Sequence, residues 1–147
     1  MIASTSTVLL VDDDRLEADL FLRAVRKSGF ENPVHVHTSS AEAKLYLRGE
    51  GKYRDRAQFP VPSLVILDHR MPGDNGWGVL QWMRAEPALK DLPVVVFSGS
   101  GSATDEAKAS ELGATYQVKP QSSEEYDAAV RRMLEFWLAR ASFGLNL

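Results

Sequence analysis

The chain contains no cysteine. Disulfides and thiolate metal sites are therefore excluded. It has no apolar run approaching the length of a membrane span, so no membrane partner is expected. It also lacks an excess of basic residues: 17 Lys and Arg stand against 20 Asp and Glu, a net charge of −3. A nucleic-acid footprint is not expected from that balance. The first residues, MIASTSTVLLV, carry neither the basic start nor the cleavage site of a secretion signal, so a cytoplasmic protein is expected. No internal repeat or low-complexity tract is visible. What remains is an ordinary globular composition, 44% hydrophobic and 25% charged over 147 residues. That length fits one domain with one sizeable core.

Short β-branched runs occur at Val8–Val11, Val34–Val36, Leu64–Leu67, Val94–Phe97 and Thr115–Val118. Stretches with helical spacing lie between them. One stripe holds Leu16, Leu20 and Ala24 with Phe21 and Val25 beside them. A second holds Val79, Leu80 and Met83, a weaker one Ala107 and Leu112, and the last Tyr126, Val130, Met133 and Trp137. Such alternation predicts a parallel sheet covered on both faces, with five strands and five helices. Ser122 or Ser123 reads as a helix cap, and Gly29 and Gly113 sit where helices should stop. The stretch Gly49–Pro62, with two Gly, two Pro and a charged run, breaks the rhythm. It reads as a long surface connection, either plainly solvated or a docking insert. Residues 1–140 form the expected domain and 141–147 a short tail.

Polar residues follow the predicted strands in a pattern. Asp12, Asp13 and Asp14 follow the first strand, Asp68 the third, Ser98 ends the fourth and Lys119 follows the fifth. In an open parallel sheet, ligands bind outside the carboxyl ends of the strands. All these groups are thus predicted on one edge. Crowded carboxylates are costly unless a cation joins them, and a few oxygen ligands suit Mg²⁺. A carboxylate, a hydroxyl and an ammonium beside such a metal make a phosphoryl site, with Asp68 as nucleophile. Taken singly, each residue has a plainer reading, an Asp as a turn or helix cap and a Lys as a solvated cation. The weight lies in their convergence.

The motifs VLLVDDD, LVILDHRMPGDNGWGVL, LPVVVFSGSG and YQVKP stand in this order. Through them the chain resembles the receiver domains of response regulators, the CheY-like proteins, over roughly residues 7–138. The resemblance implies a flavodoxin-like (βα)5 fold with a five-stranded parallel sheet in the order 2-1-3-4-5. It implies that Asp68 is the phosphoacceptor and that Mg²⁺ is held by Asp13, by Asp12 through water, by Asp68 and by the backbone carbonyl of Arg70. It implies that Ser98 follows the phosphoryl group, that Lys119 pairs with it, and that Tyr116 is the aromatic switch coupled to Ser98. A cis bond is implied before Pro120, and Asp14 is read as a helix cap. Arg70 and Ser100 match the two positions that tune phosphoryl lifetime. Gln121, Gly99 and Gly78 depart from the commonest pattern, leaving the shape of the output face open.

His35 and His37 share one face of a strand, where structural or surface roles are expected, and His69 is expected at the rim of the site. The apolar end of the last helix, with Phe143, Leu145 and Leu147 beyond it, leads to an expected homodimer through the fourth helix, fifth strand and fifth helix. The plainer alternative is a tail folded over its own core. The segment after YLRGEGKYRDR is similar to that of stand-alone receivers paired with phytochrome-type sensor histidine kinases. The expected protein is therefore no enzyme in the ordinary sense but a switch of a two-component system, acting on an unknown downstream protein. The rivals are a phosphate shuttle in a relay, which uses the same residues, and a pseudo-receiver that binds without phosphorylation. A phosphatase with an Asp nucleophile would need a second Asp where Arg70 stands.

Overall fold

The structure is a computed structural model, and it describes residues 6–70, 76–99 and 101–142. Five strands and five α-helices alternate among them: β1 Val8–Val11, α1 Arg15–Lys27, β2 Val34–His37, α2 Ser40–Arg48, β3 Leu64–Leu67, α3 Gly76–Ala85, β4 Val94–Ser98, α4 Ala103–Glu111, β5 Thr115–Val118 and α5 Ser123–Ser142. The strands form one parallel sheet in the order β2-β1-β3-β4-β5, as expected.

The inner strands β1, β3 and β4 are buried throughout. Their side chains alternate between two apolar layers, as the period of two along a strand requires. Leu9, Val11, Val65, Leu67, Val94 and Val96 face the layer formed with Tyr46, Leu80 and Met83. Val8, Leu10, Leu64, Ile66, Val95 and Phe97 face the layer formed with Phe21, Val25, Val130, Leu134 and Leu138. Helices α1 and α5 thus share one face of the sheet, and α2, α3 and the buried Ala109 of α4 cover the other.

Two helix faces differ from expectation. In α1 the buried residues are Ala18, Phe21, Ala24 and Val25, whereas Leu16 and Leu20 are 76% and 43% exposed. Phe21 meets Phe97 edge to face at 6.3 Å, and that contact turns Leu16 and Leu20 outward. In α4 the inward residue is Ala109, not Ala107; Leu112 packs partly against the core. The α3 stripe, Val79, Leu80 and Met83, is buried as expected.

The stretch after α2 is neither loose nor merely solvated. It forms a 3-10 turn at Gly51–Tyr53 and returns through Arg56. That guanidinium donates to Tyr46 O at 2.8 Å, Leu47 O at 2.8 Å and Phe59 O at 3.0 Å. Two of these carbonyls belong to the last turn of α2, where the helix leaves its own acceptors unpaired. Gly49 closes that helix at φ 69°. That positive φ favours glycine, and a Cβ there would also lie 2.7 Å from Arg56 Nε and push the guanidinium off its carbonyls. Helix α5 continues to Ser142; residues 143–147, with Phe143, Leu145 and Leu147, lie outside the described residues.

Candidate functional site

Parallel register brings the polar residues to one edge. Val11 pairs with Leu67 across β1 and β3, so the chains leave the sheet side by side as Asp12 and Asp68. The ladder continues one step past the strands: Asp68 N donates to Val11 O at 3.0 Å, and Asp12 N to His37 O at 3.1 Å. Ser98 pairs with Val118, and Lys119 N donates to Ser98 O at 2.7 Å. The expected residues are therefore gathered at the carboxyl edge.

Ligand oxygens of Asp12, Asp13 and Asp68 can all lie within 4.8 Å of one another. Asp12 is buried, Asp68 half-buried and Asp13 exposed. Burial pushes the Asp12 carboxyl up to about 6 from 3.8, aided by Asp68 and Glu17 and opposed by the Asp14 N–H and Lys119. A buried carboxylate pressed by its neighbours is a ready partner for a cation. Backbone donors fix the remaining geometry. Asp14 N donates to Asp12 Oδ1 and Arg70 N to Asp68 Oδ1, both at 2.9 Å. Asp14 also caps α1, accepting from Leu16 N and Glu17 N.

Lys119 reaches into this cluster. Its Nζ lies 3.5 Å from Asp12 Oδ2 and 3.9 Å from Asp68 Oδ2. It donates its hydrogen bond to Glu17 Oε2. Burial works to lower the Lys119 pKa, but Glu17, Asp12 and Asp68 outweigh it and raise the value. The ammonium is thus firmly charged. Ser98 is fully buried beside it. Tyr116 is half-buried, its ring 6.2 Å from that of His69. His69 is buried rather than at the rim, with Nε2 3.1 Å from Asp105 Oδ2 of α4 and its ring 5.0 Å from Trp77.

The match to the response regulator receiver domain family spans residues 8–131. The chain belongs to this family. It is a receiver, the phosphoacceptor signalling domain of two-component response regulators. The receiver is 34% identical to the probable methanogenesis regulatory protein FilR2 of Methanothrix harundinacea, over 89% of this chain and 83% of that protein. It is 27% identical to response regulator Rcp1 of Synechocystis, over 89% of this chain and 88% of that one. The Mn²⁺-bound structure of Rcp1 superposes with a TM-score of 0.80, covering 90% and 94% of the two chains. The phosphorylated cyanobacterial phytochrome response regulator RcpA superposes with a TM-score of 0.83 at 30% identity, covering 92% and 95%.

Some features of the receiver differ from the sequence reading or escape it. The Lys119–Pro120 bond, expected cis, is not: no cis peptide occurs among the described residues. Trans is the lower-energy form even before proline, by about 0.5–1 kcal/mol. Ser100 lies outside the described residues. Glu17 was hidden because an acid in a first helical turn reads as a dipole effect. Gly76 was hidden among several glycines. A Cβ there would lie 2.4 Å from Asp68 O and 2.6 Å from His69 Cα, so α3 starts hard against the Asp68–His69 backbone only because residue 76 has no side chain. His35 and His37 lie on one face, as expected, with rings 5.2 and 5.3 Å from Tyr46. They take no part in the site.

Proposed function

We propose that this receiver accepts a phosphoryl group from a sensor histidine kinase onto Asp68, with Mg²⁺, and changes its interaction surface in response. The observation that supports the reading most is the convergence of three carboxylates, one half-buried ammonium and one buried hydroxyl on a single sheet edge. A lone carboxylate or lysine would carry none of it.

The donor set fits a hard divalent cation: Asp12, Asp13 and Asp68, with the backbone carbonyl of Arg70, offer oxygen only. Such a cation neutralises charge on the transferring group and orients it. The protein's own residues do the rest. Asp68 supplies the carboxylate oxygen that bonds phosphorus as the phosphorus–nitrogen bond of a phosphohistidine breaks, the imidazole leaving with the electron pair. The Arg70 N–H holds Asp68 Oδ1 and so limits rotation of the nucleophile. Lys119 pairs with phosphoryl oxygens. Ser98 hydrogen-bonds another, and Tyr116, one strand away, carries the change toward α4, β5 and α5. The receiver unit spans residues 1–140, with a short tail from 141 to 147. The long Arg70 side chain covers the acyl phosphate and slows its loss.

The likeness to the phytochrome response regulator RcpA supports a phytochrome-type kinase as the partner. A groove lined by Val95, Thr115, Met133, Phe136 and Trp137, with Phe136 and Val118 exposed, supports pairing of two copies through α4, β5 and α5. The absence of a described helix long and apolar enough to cross a membrane fits a place in the cytoplasm.

Incubation with acetyl phosphate tests the reading. One added phosphoryl group in the intact mass is expected for the wild type with Mg²⁺, and none for Asp68→Asn or after chelation. Addition that survives either control would move the acceptor elsewhere. No addition and no metal-dependent binding of beryllofluoride would make the protein a pseudo-receiver.

A further inference from the structure

Lys119 is a single cation facing three acids. Its side chain is 11% exposed and faces Asp12, Asp68 and Glu17. Of the three, Glu17 accepts the hydrogen bond of the ammonium, while Asp68 Oδ2 stays at 3.9 Å, beyond hydrogen-bond reach. The Asp14 cap starts α1 just before Glu17 and so presents its carboxylate to the end of β5. A phosphoryl group on Asp68 brings further negative charge and needs the same cation. It must compete with Glu17 for it.

Burial decides which acid can yield. The Asp12 side chain is 4% exposed and cannot turn to water, whereas that of Glu17 is 38% exposed. Glu17, Lys119, Pro120 and Tyr126 line an open cleft together with Arg23. That cleft gives Glu17 both space and a second cation to turn toward. The cost of leaving Lys119 is therefore small for Glu17 and large for Asp12.

We propose that Glu17 is a positioning residue that restrains the phosphoryl site: it holds Lys119 before phosphorylation and releases it when Asp68 is phosphorylated. The proposal rests on the phosphoacceptor reading of Asp68. It makes the charge of Glu17, rather than its shape, a determinant of how readily the site loads.

The test is a beryllofluoride titration at saturating Mg²⁺ on wild type, Glu17→Gln and Glu17→Asp, with melting curves as a folding control. Glu17→Gln is expected to bind about threefold to tenfold more tightly, since one competing charge is gone. Glu17→Asp, which keeps the charge, is expected to stay within about twofold of wild type. Unchanged or weaker binding by Glu17→Gln overturns the proposal. If wild type itself fails to bind, the phosphoacceptor reading falls first and the proposal with it. The Lys119 Cε resonance gives a readout that a merely structural Glu17 would not move. Wild type and Glu17→Gln should differ when free and converge when saturated, because Glu17 has by then let go. A difference that persists unchanged at saturation also overturns it.

Discussion

The two edges of the sheet are built in opposite ways. At the β2 edge, α2 buries Ala43, Tyr46 and Leu47, and the following stretch is stitched down. Arg56 holds three carbonyls, Tyr46 donates to Pro60 O at 2.9 Å, and Tyr53 to Glu42 Oε2 at 2.6 Å. Rings of His35, His37, Tyr46, Tyr53 and Phe59 pack against each other. At the β5 edge, α4 buries only Ala109 among its nine residues, and β5 has two exposed residues where β2 has only half-buried ones. Polar contacts hold α4 instead: His69 to Asp105 at 3.1 Å, and Lys108 over the Trp77 ring at 5.1 Å. Buried apolar contacts set the high end of local stability, and elements that move are drawn from the low end. The β2 edge is thus a fixed wall and the β5 edge the movable one. Helix α4, which meets His69 next to Asp68, belongs to the movable side.

The largest effect is expected where the wall is stitched. Arg56→Ala removes three charge-assisted bonds and leaves part-buried carbonyls without their donor. The expected loss is about 3 kcal/mol, read as a fall of roughly 10 °C in the melting temperature. Loading of Asp68 by acetyl phosphate should be unchanged. A melting temperature within about 2 °C of wild type would show that the wall stands without Arg56, and the contrast between the edges would fail.

A pH series sharpens the comparison further. Burial lowers the His37 pKa below 6.5, with His35 and Lys52 adding to the effect and Glu42 opposing it. His37 Nε2 is buried and without a hydrogen-bond partner among the described residues. The sign follows from the depressed value. Above about pH 6.5 both folded and unfolded chains hold His37 neutral, and its contribution is intact. As pH falls through 6.5 toward the folded value, the unfolded chain takes up the proton first and stability declines. Asp12 works the other way, since its raised value adds stability that is lost as pH rises through about 6. The useful quantity is therefore a difference. Urea unfolding of wild type should weaken more between about pH 7.5 and 5.5 than that of His37→Asn. Equal losses would mean that the aromatic wall does not sense His37 charge.

Most of this architecture was legible because it rests on strong local signals. Each strand was a short apolar run, and Asp12, Asp68, Ser98 and Lys119 each stood at or just past the end of one, so sheet order and register delivered them to one edge. What escaped reading depends on long-range contacts. Leu16 and Leu20 stand four apart, but so do Phe21 and Val25, which the structure buries together with Ala18 and Ala24. Only the meeting of Phe21 with Phe97 chooses between the two faces. Arg56 looked like one charge in a polar run, because its acceptors lie up to ten residues away. Glu17 and Lys119 are 102 residues apart, and no spacing rule links them.

The smallest global effect, and the most local one, is expected at the β5 edge. Asp105→Asn keeps the shape of the side chain and removes its charge. Asp105 is one-quarter exposed, so the change in overall stability should stay under about 1 kcal/mol. The helix it anchors has little else to lose. Amide exchange across Ala103–Glu111 should quicken several-fold while Ser40–Arg48 exchanges as before, because α4 opens locally and α2 opens only with the wall. The same variant bears on signalling. If the His69–Asp105 contact restrains α4 before Asp68 is loaded, beryllofluoride should alter exchange in α4 less in Asp105→Asn than in wild type, since part of the release has already occurred. Wild-type exchange in α4 of the variant, with and without beryllofluoride, would mean that the β5 edge is held by its few apolar contacts after all, and that the two edges differ in composition but not in stability.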